Sequence, residues 1–276
     1  MKYLSLIALT FLIYTQVFSQ GNKDIINIKK EGKYLYRSEM ASWLGSDIFT
    51  EKFKEQQENI GGYFSYPDNE RTNCVFFSKD TVPKVIATIS FDSTYNISKA
   101  IVDSKERAFL DSENDLYTIR RKALEIIRTD TLFKVYQNTR LNLIPIIQGD
   151  ERKVYVLTGP QVSNVVIFGN DYKIDFNKFN EPTNRARIHK SIIPIEYKQD
   201  EQKGAVSMHS HLPETGEYIT STDICTLMLY EKFVKWKQHI VISKTYVSIW
   251  NCDDDQLLTL TKKAWEKIYI NQKKRN

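Results

Sequence analysis

Cysteine, histidine and proline are all scarce in this 276-residue chain. It has three cysteines, Cys74, Cys225 and Cys252, four histidines, seven prolines and ten glycines. Three cysteines cannot make a disulfide-built scaffold, and with no Cys-x-x-Cys pair they cannot make a thiolate zinc site. A bridge between Cys225, inside an expected helix, and Cys252, at the end of the next strand, stays open beside the reading of both as buried thiols. Low proline and glycine, with no biased tract, exclude disordered and fibrous classes. Charge of one sign does not dominate either. The balance is +5, partly from the tail Lys273-Lys274-Arg275, and no basic stripe carries interleaved aromatics, so nucleic acid is not an expected partner.

Long apolar runs are missing except at the start. Met1-Lys2, the run Tyr3 to Val17 and the polar end Phe18-Ser19-Gln20 read as a secretory signal peptide, residues 1–20, too short and wrongly flanked for a membrane span. No cysteine stands at the expected cleavage point to carry a lipid. The mature protein is therefore expected in the periplasm or released.

What is present is 41% hydrophobic and 12% aromatic residues, enough for one large core or two modest ones. Residues 21–111 read as an antiparallel β-rich unit. A short strand running into a helix is expected over Lys33–Leu44, followed by a three-strand meander at 62–66, 74–77 and 85–91. Ser112-Glu113-Asn114-Asp115 resembles a helix cap. Leu116, Ile119, Ala123, Ile126 and Ile127 then recur at helical spacing, predicting a helix over 113–128 and a boundary near residue 112. Residues 112–276 continue with strands at 141–148, 153–158, 165–168, 172–176, 190–197 and 204–211. A helix over 221–236, a strand over 239–250 and a closing helix over 254–270 complete an α+β arrangement, a mixed sheet flanked by helices.

The chemistry concentrates in Met208-His209-Ser210-His211-Leu212-Pro213 and in Thr220-Ser221-Thr222-Asp223. Histidines one residue apart on a strand point their rings to one face. Thr220, Ser221 and Thr222 are N-cap types, and Asp223 falls in the first helical turn, where it can bring an oxygen ligand. His209, His211 and Asp223 with one position left for water are the donor set of a catalytic zinc site, although iron and manganese accept the same set. If strands 190–197 and 204–211 pair as a hairpin about Asp200-Glu201, His189 stands beside His211. There it is an extra ligand, a hydrogen-bond support or a proton shuttle.

His-Ser-His-Leu-Pro followed by Thr-Ser-Thr-Asp-Ile resembles the signature of the JAB/MPN superfamily of JAMM metalloproteases, over roughly residues 112–276. That pattern is His-x-His-Pro, a spacer, then Ser-x-x-Asp, with a glutamate earlier in the domain. Here Leu212 precedes the proline and the spacer is one residue longer. The resemblance implies Zn2+ on His209, His211 and Asp223, and an oxyanion donor at Thr220 or Ser221. Glu151 stands nearest the place of the glutamate, as general base. It implies amide hydrolysis of a peptide or protein substrate, that is, a peptidase or isopeptidase. The competing expectation is a non-catalytic secreted binding module on the same fold, with a structural or vestigial metal.

Overall fold

The computed structural model describes residues 2–198 and 204–273. The turn expected at Asp200-Glu201 and the tail residues Lys274-Arg275 lie outside the described residues. The protein is α+β, with antiparallel sheets and one parallel strand pair. No helix among the described residues is long and apolar enough to cross a membrane.

Helix α1 spans Lys2–Lys52. It replaces the strand expected at the start of 33–44, because Leu35, Ser38, Ala41, Ile48 and Phe49 recur on one buried face. A four-stranded antiparallel sheet follows: β1 (Ile60–Asp68), β2 (Arg71–Ser78), β3 (Val85–Phe91) and a short β4 (Ile101–Asp103). The fourth strand is an addition to the expected meander. Cys74, Phe76, Ile86, Ile89 and Phe91 pack on Ala41, Ile48 and Phe49 of α1. Each such side chain contributes about 1.5–3 kcal/mol on leaving water.

Helix α2 (Asp111–Thr129) agrees with the helix expected over 113–128. Next come β5 (Thr139–Gln148), β6 (Glu151–Pro160), β7 (Val165–Gly169), β8 (Tyr172–Phe176), β9 (Pro182–Arg187) and β10 (Ile192–Glu196). The sheet order is β5-β6-β8-β9, with β7 paired to β10 alone. β9 carries few apolar residues and so gave no signal in the sequence.

The last sheet holds β11 (Val206–Ser210), β12 (Gln238–Ile242), β13 (Tyr246–Asn251) and β14 (Gln256–Thr261), in that order. Between β11 and β12 runs α3 (Ser221–Val234), so these two strands are parallel, and α4 (Lys262–Lys273) closes the chain. Three expectations are corrected here. The strand expected over 239–250 is two strands, divided at Ser243-Lys244-Thr245. The Ser243 hydroxyl oxygen accepts from the Thr245 and Tyr246 amides at 3.3 and 3.0 Å, forming a turn without glycine or proline. The closing helix begins only at Lys262, because Gln256–Thr261 extend the sheet against β13. The 190–197 and 204–211 segments form no hairpin, since β10 pairs with β7 and β11 with β12.

Helix α3 is buried throughout its first half, Ser221 through Leu229. A helix buried on every side is enclosed by other elements. It lies between the last sheet and α1, which approaches so closely that a Cβ on Gly32 would meet Ile224 Cβ at 2.7 Å. Ile28 and Tyr36 of α1 thus join the core of Ile224, Leu227, Trp236, Val241 and Trp250. Trp250 Nε1 donates to Glu231 Oε2 at 2.9 Å. Cys225 is buried beside Leu35 and Leu229, and all three cysteines are free thiols.

Candidate metal centre

In the parallel pairing of β11 with β12, Ser207 stands opposite His239 and His209 opposite Val241, all on the sheet face turned to the core. His211 prolongs the strand, its amide donating to the Ile242 carbonyl at 2.9 Å. Both rings of the His-x-His pair therefore point inward, as period-two alternation requires.

Asp223 arrives from the head of α3. Thr220 is the N-cap, and its Oγ1 accepts from the Asp223 amide at 3.1 Å. Asp223 Oδ2 in turn accepts from the Thr220 amide at 3.0 Å and from Thr220 Oγ1 at 2.8 Å. The reciprocal cap fixes the carboxylate and satisfies orphan donors of the helix start.

His189 comes from the other side. β7 ends in Gly169 (φ 79°) and Asn170 (φ 50°), a left-handed pair that reverses the chain within two residues. The Asn170 amide donates to the Ser191 carbonyl at 2.9 Å, which holds the His189 segment against the turn. Asp171, next in the chain, accepts at Oδ1 from the His189 amide at 3.0 Å and binds His189 Nδ1 at 2.7 Å.

These four side chains are all buried, and one ligand atom from each lies within 4.8 Å of every other. His211 Nε2 is 3.1 Å from both His189 Nε2 and His209 Nε2, and 3.2 Å from Asp223 Oδ2. Asp223 Oδ2 is 3.6 Å from His189 Nε2, and Oδ1 is 3.6 Å from His209 Nε2. Donors held at about 2.0–2.1 Å from a tetrahedral zinc would stand about 3.4 Å apart. The observed spacings bracket that value, so this His-His-His-Asp cluster could hold a metal ion. Asp223 Oδ1 and His211 Nδ1 are buried with no hydrogen-bond partner among the described residues. For Asp223 Oδ1, a cation would supply what is missing.

Behind the ligands stands a relay. His209 Nδ1 contacts His239 Nε2 at 2.9 Å, and His239 Nδ1 contacts Ser207 Oγ at 2.7 Å. With a cation on His209 Nε2, Nδ1–H would donate to His239 Nε2 and His239 Nδ1–H to Ser207 Oγ, which would fix both tautomers. Phe168 stacks on His239 at 4.7 Å and walls off the relay. The electrostatics follow from burial. Burial pushes His209 down to about 4, against the charge of Asp223, and burial with neighbouring His209 pushes His239 down to about 3. His189 is also opposed by burial, but the charges of Asp223 and Asp171 and the Asp171 hydrogen bond lift it to about 9. Burial works against ionisation of Asp223, yet His189, His209 and His211 hold it well below the usual carboxylate range.

The structure thus brings together His209, His211, Asp223 and His189. Glu151 is not in the group: it opens β6, exposed, and is ion-paired to Lys153 at 2.9 Å. Thr220 is committed to Asp223, and Ser221 Oγ donates to Glu31 Oε2 at 3.0 Å. Asp171, His239 and Ser207 went unread in the sequence. His239 had one available signal: the chain has only four histidines, so one heading the strand after the ligand helix was worth placing beside the other three. Compared with protein-family models, with curated proteins and with solved structures, the chain matches none.

Proposed function

We propose that this protein is an exported, zinc-dependent hydrolase of amide bonds, of the JAMM kind. The observation that carries the reading is the convergence of His209 and His211 from a strand end with Asp223 from the start of the following helix. That is the ligand arrangement the His-x-His and Asp motifs predicted. Zinc bound there would supply a Lewis acid and a water of lowered pKa.

The protein's own groups have distinct tasks. Thr220 aims Asp223, and the His239-Ser207 relay fixes the ring of His209. His189, oriented through Nδ1 by Asp171, presents Nε2 to the same point. Lifted to about 9, the ring held in this way carries a proton that it can give to the leaving amine. Glu151 faces solvent on Lys153 and stands outside the cluster, so the acid role goes to His189 and no carboxylate among the described residues supplies the base. A cavity of about 290 Å3 is lined by Ile188, the neighbour of His189 in the chain, and by the α3 start from Thr220 to Thr222, just before Asp223. It is the place for a substrate chain. Export, expected from residues 1–20, points to secreted proteins or cell-wall peptides as substrates.

One observation favours a second reading, a binding module with a structural metal. Four protein donors converge, and the most exposed of them, His189, has a side chain only 9% accessible. Structural sites are closed in this way. Metal analysis and cleavage of a peptide pool separate the two readings. A hydrolase binds about one zinc and cleaves, His211→Ala loses both, and His189→Gln keeps the metal while losing at least ~100-fold in rate. Zinc without any cleavage by the wild type, with metal loss in His189→Gln, overturns the hydrolase in favour of the module.

A further inference from the structure

Away from the metal, α1 turns a polar stripe toward its neighbours. Glu39, Trp43 and Asp47 recur every four residues and share one face. They line a cavity of about 320 Å3 whose other walls include Arg140 and Asn142 of β5 and Tyr230 of α3. Arg140 and Asn142 are two apart on a strand and so face the same way. The volume is at the small end of ligand pockets.

The cavity holds charges of both signs apart. Among the described residues, neither the Arg140 guanidinium nor the Asp47 carboxylate has a hydrogen-bond or ion-pair partner. Glu39 receives one bond, from Asn142 Nδ2 to Oε2 at 3.2 Å. It is half-buried, and desolvation pushes its carboxyl up to about 7, eased by Arg140, Asn142 and Arg120. The aromatic wall is braced: Trp43 stacks on Phe233 at 5.9 Å and leans on Tyr230 at 6.2 Å. Trp43, Asp47 and Arg140 are exposed and Glu39 is half-buried, so the charged and aromatic groups of the cavity are open to a ligand arriving from solvent.

We propose that this cavity is a receptor for a small zwitterion, an α-amino acid or the like. The planar fork of Arg140 suits a carboxylate in a bidentate pair. Glu39 and Asp47 suit an ammonium, which the faces of Trp43 and Tyr230 also attract. The side chain of the ligand lies along the aromatic wall. Nothing in the assignment depends on the metal centre, and a protein without hydrolase activity would bind equally well.

The test is calorimetric titration of the full chain with L-leucine and L-phenylalanine, each compared with its amide and its N-acetyl derivative, and with N-acetylglucosamine as a polar ring probe. The free amino acids are expected to bind, and blocking either end to weaken binding at least tenfold. Arg140→Gln should abolish the discrimination against the amide, and Asp47→Asn should reduce that against the N-acetyl form. Both residues are exposed, so circular dichroism should be unchanged. Absence of binding at millimolar amino acid, equal binding of the blocked forms, or preference for the sugar overturns the proposal.

Discussion

Helices α2 and α3 begin in the same way and end up in different chemistry. Each carries a buried acid at its third residue, Glu113 in one and Asp223 in the other, and each acid caps its own helix. Glu113 Oε2 accepts from the Leu110 amide at 2.9 Å as Asp223 Oδ2 does from Thr220. Glu113 is then answered in full. Arg107 grips both its oxygens, at 2.6 and 2.9 Å, and the Tyr66 hydroxyl donates at 3.0 Å. Asp223 has no guanidinium. It faces three imidazoles and keeps one oxygen unpartnered. One buried carboxylate is complete with protein alone, whereas the other keeps an oxygen that a cation could take.

The contrast can be broken by exchange of charge. Asp223→Asn should lower zinc affinity by more than about 100-fold, since it removes the anionic ligand. Equilibrium dialysis measures it, and unchanged zinc binding would remove Asp223 from the centre. Next in size is Arg107→Met, which strands a buried charge and should cost about 3–5 kcal/mol in urea unfolding while leaving metal content untouched. A smaller effect is expected from Thr220→Ala, about 1 kcal/mol for the lost cap, with weaker metal binding because Asp223 loses a partner that aims it.

Acid sharpens the same comparison in metal-free protein. His209 and His239 stay neutral when folded down to about 4 and 3, but take up protons when unfolded from about 6.5 downward. Unfolding therefore gains protons below 6.5, and stability falls with pH from there. His189 has the opposite sign: lifted to about 9, it contributes stability that is complete below 6.5 and lost as pH rises through 9. Metal-free stability should peak near pH 6.5. The Glu113 cluster, with its carboxyl held low by Arg107, Leu110 and Tyr66 against burial, should weaken only below the usual glutamate range. Urea midpoints across pH 4–9, with and without zinc, measure both, and a flat profile without metal would refute the electrostatic account of the histidines.

The half of the centre visible in the sequence is local. His209, His211 and Asp223 fall within fifteen residues, where strand alternation and a helix cap leave little freedom of direction. The other half is tertiary. The hairpin that would bring His189 beside His211 does not form; His189 arrives because the Gly169-Asn170 turn sets Asp171 against its backbone and ring. Nothing in the spacing of Asp171 and His189 announces that bond. Similar limits governed the fold. Long periodic segments such as α2 are legible, whereas over 254–270 Leu257, Leu258 and Leu260 lie along a strand and merge with the pattern of α4, so a single helix is expected where a strand and a helix stand.

Every histidine of the chain belongs to one connected network, three at the ligand point and one in the relay behind it. The protein consequently carries its own background-free reporter: each imidazole resonance in a nuclear magnetic resonance spectrum, and each histidine open to an acylating reagent, speaks for this one centre and nothing else.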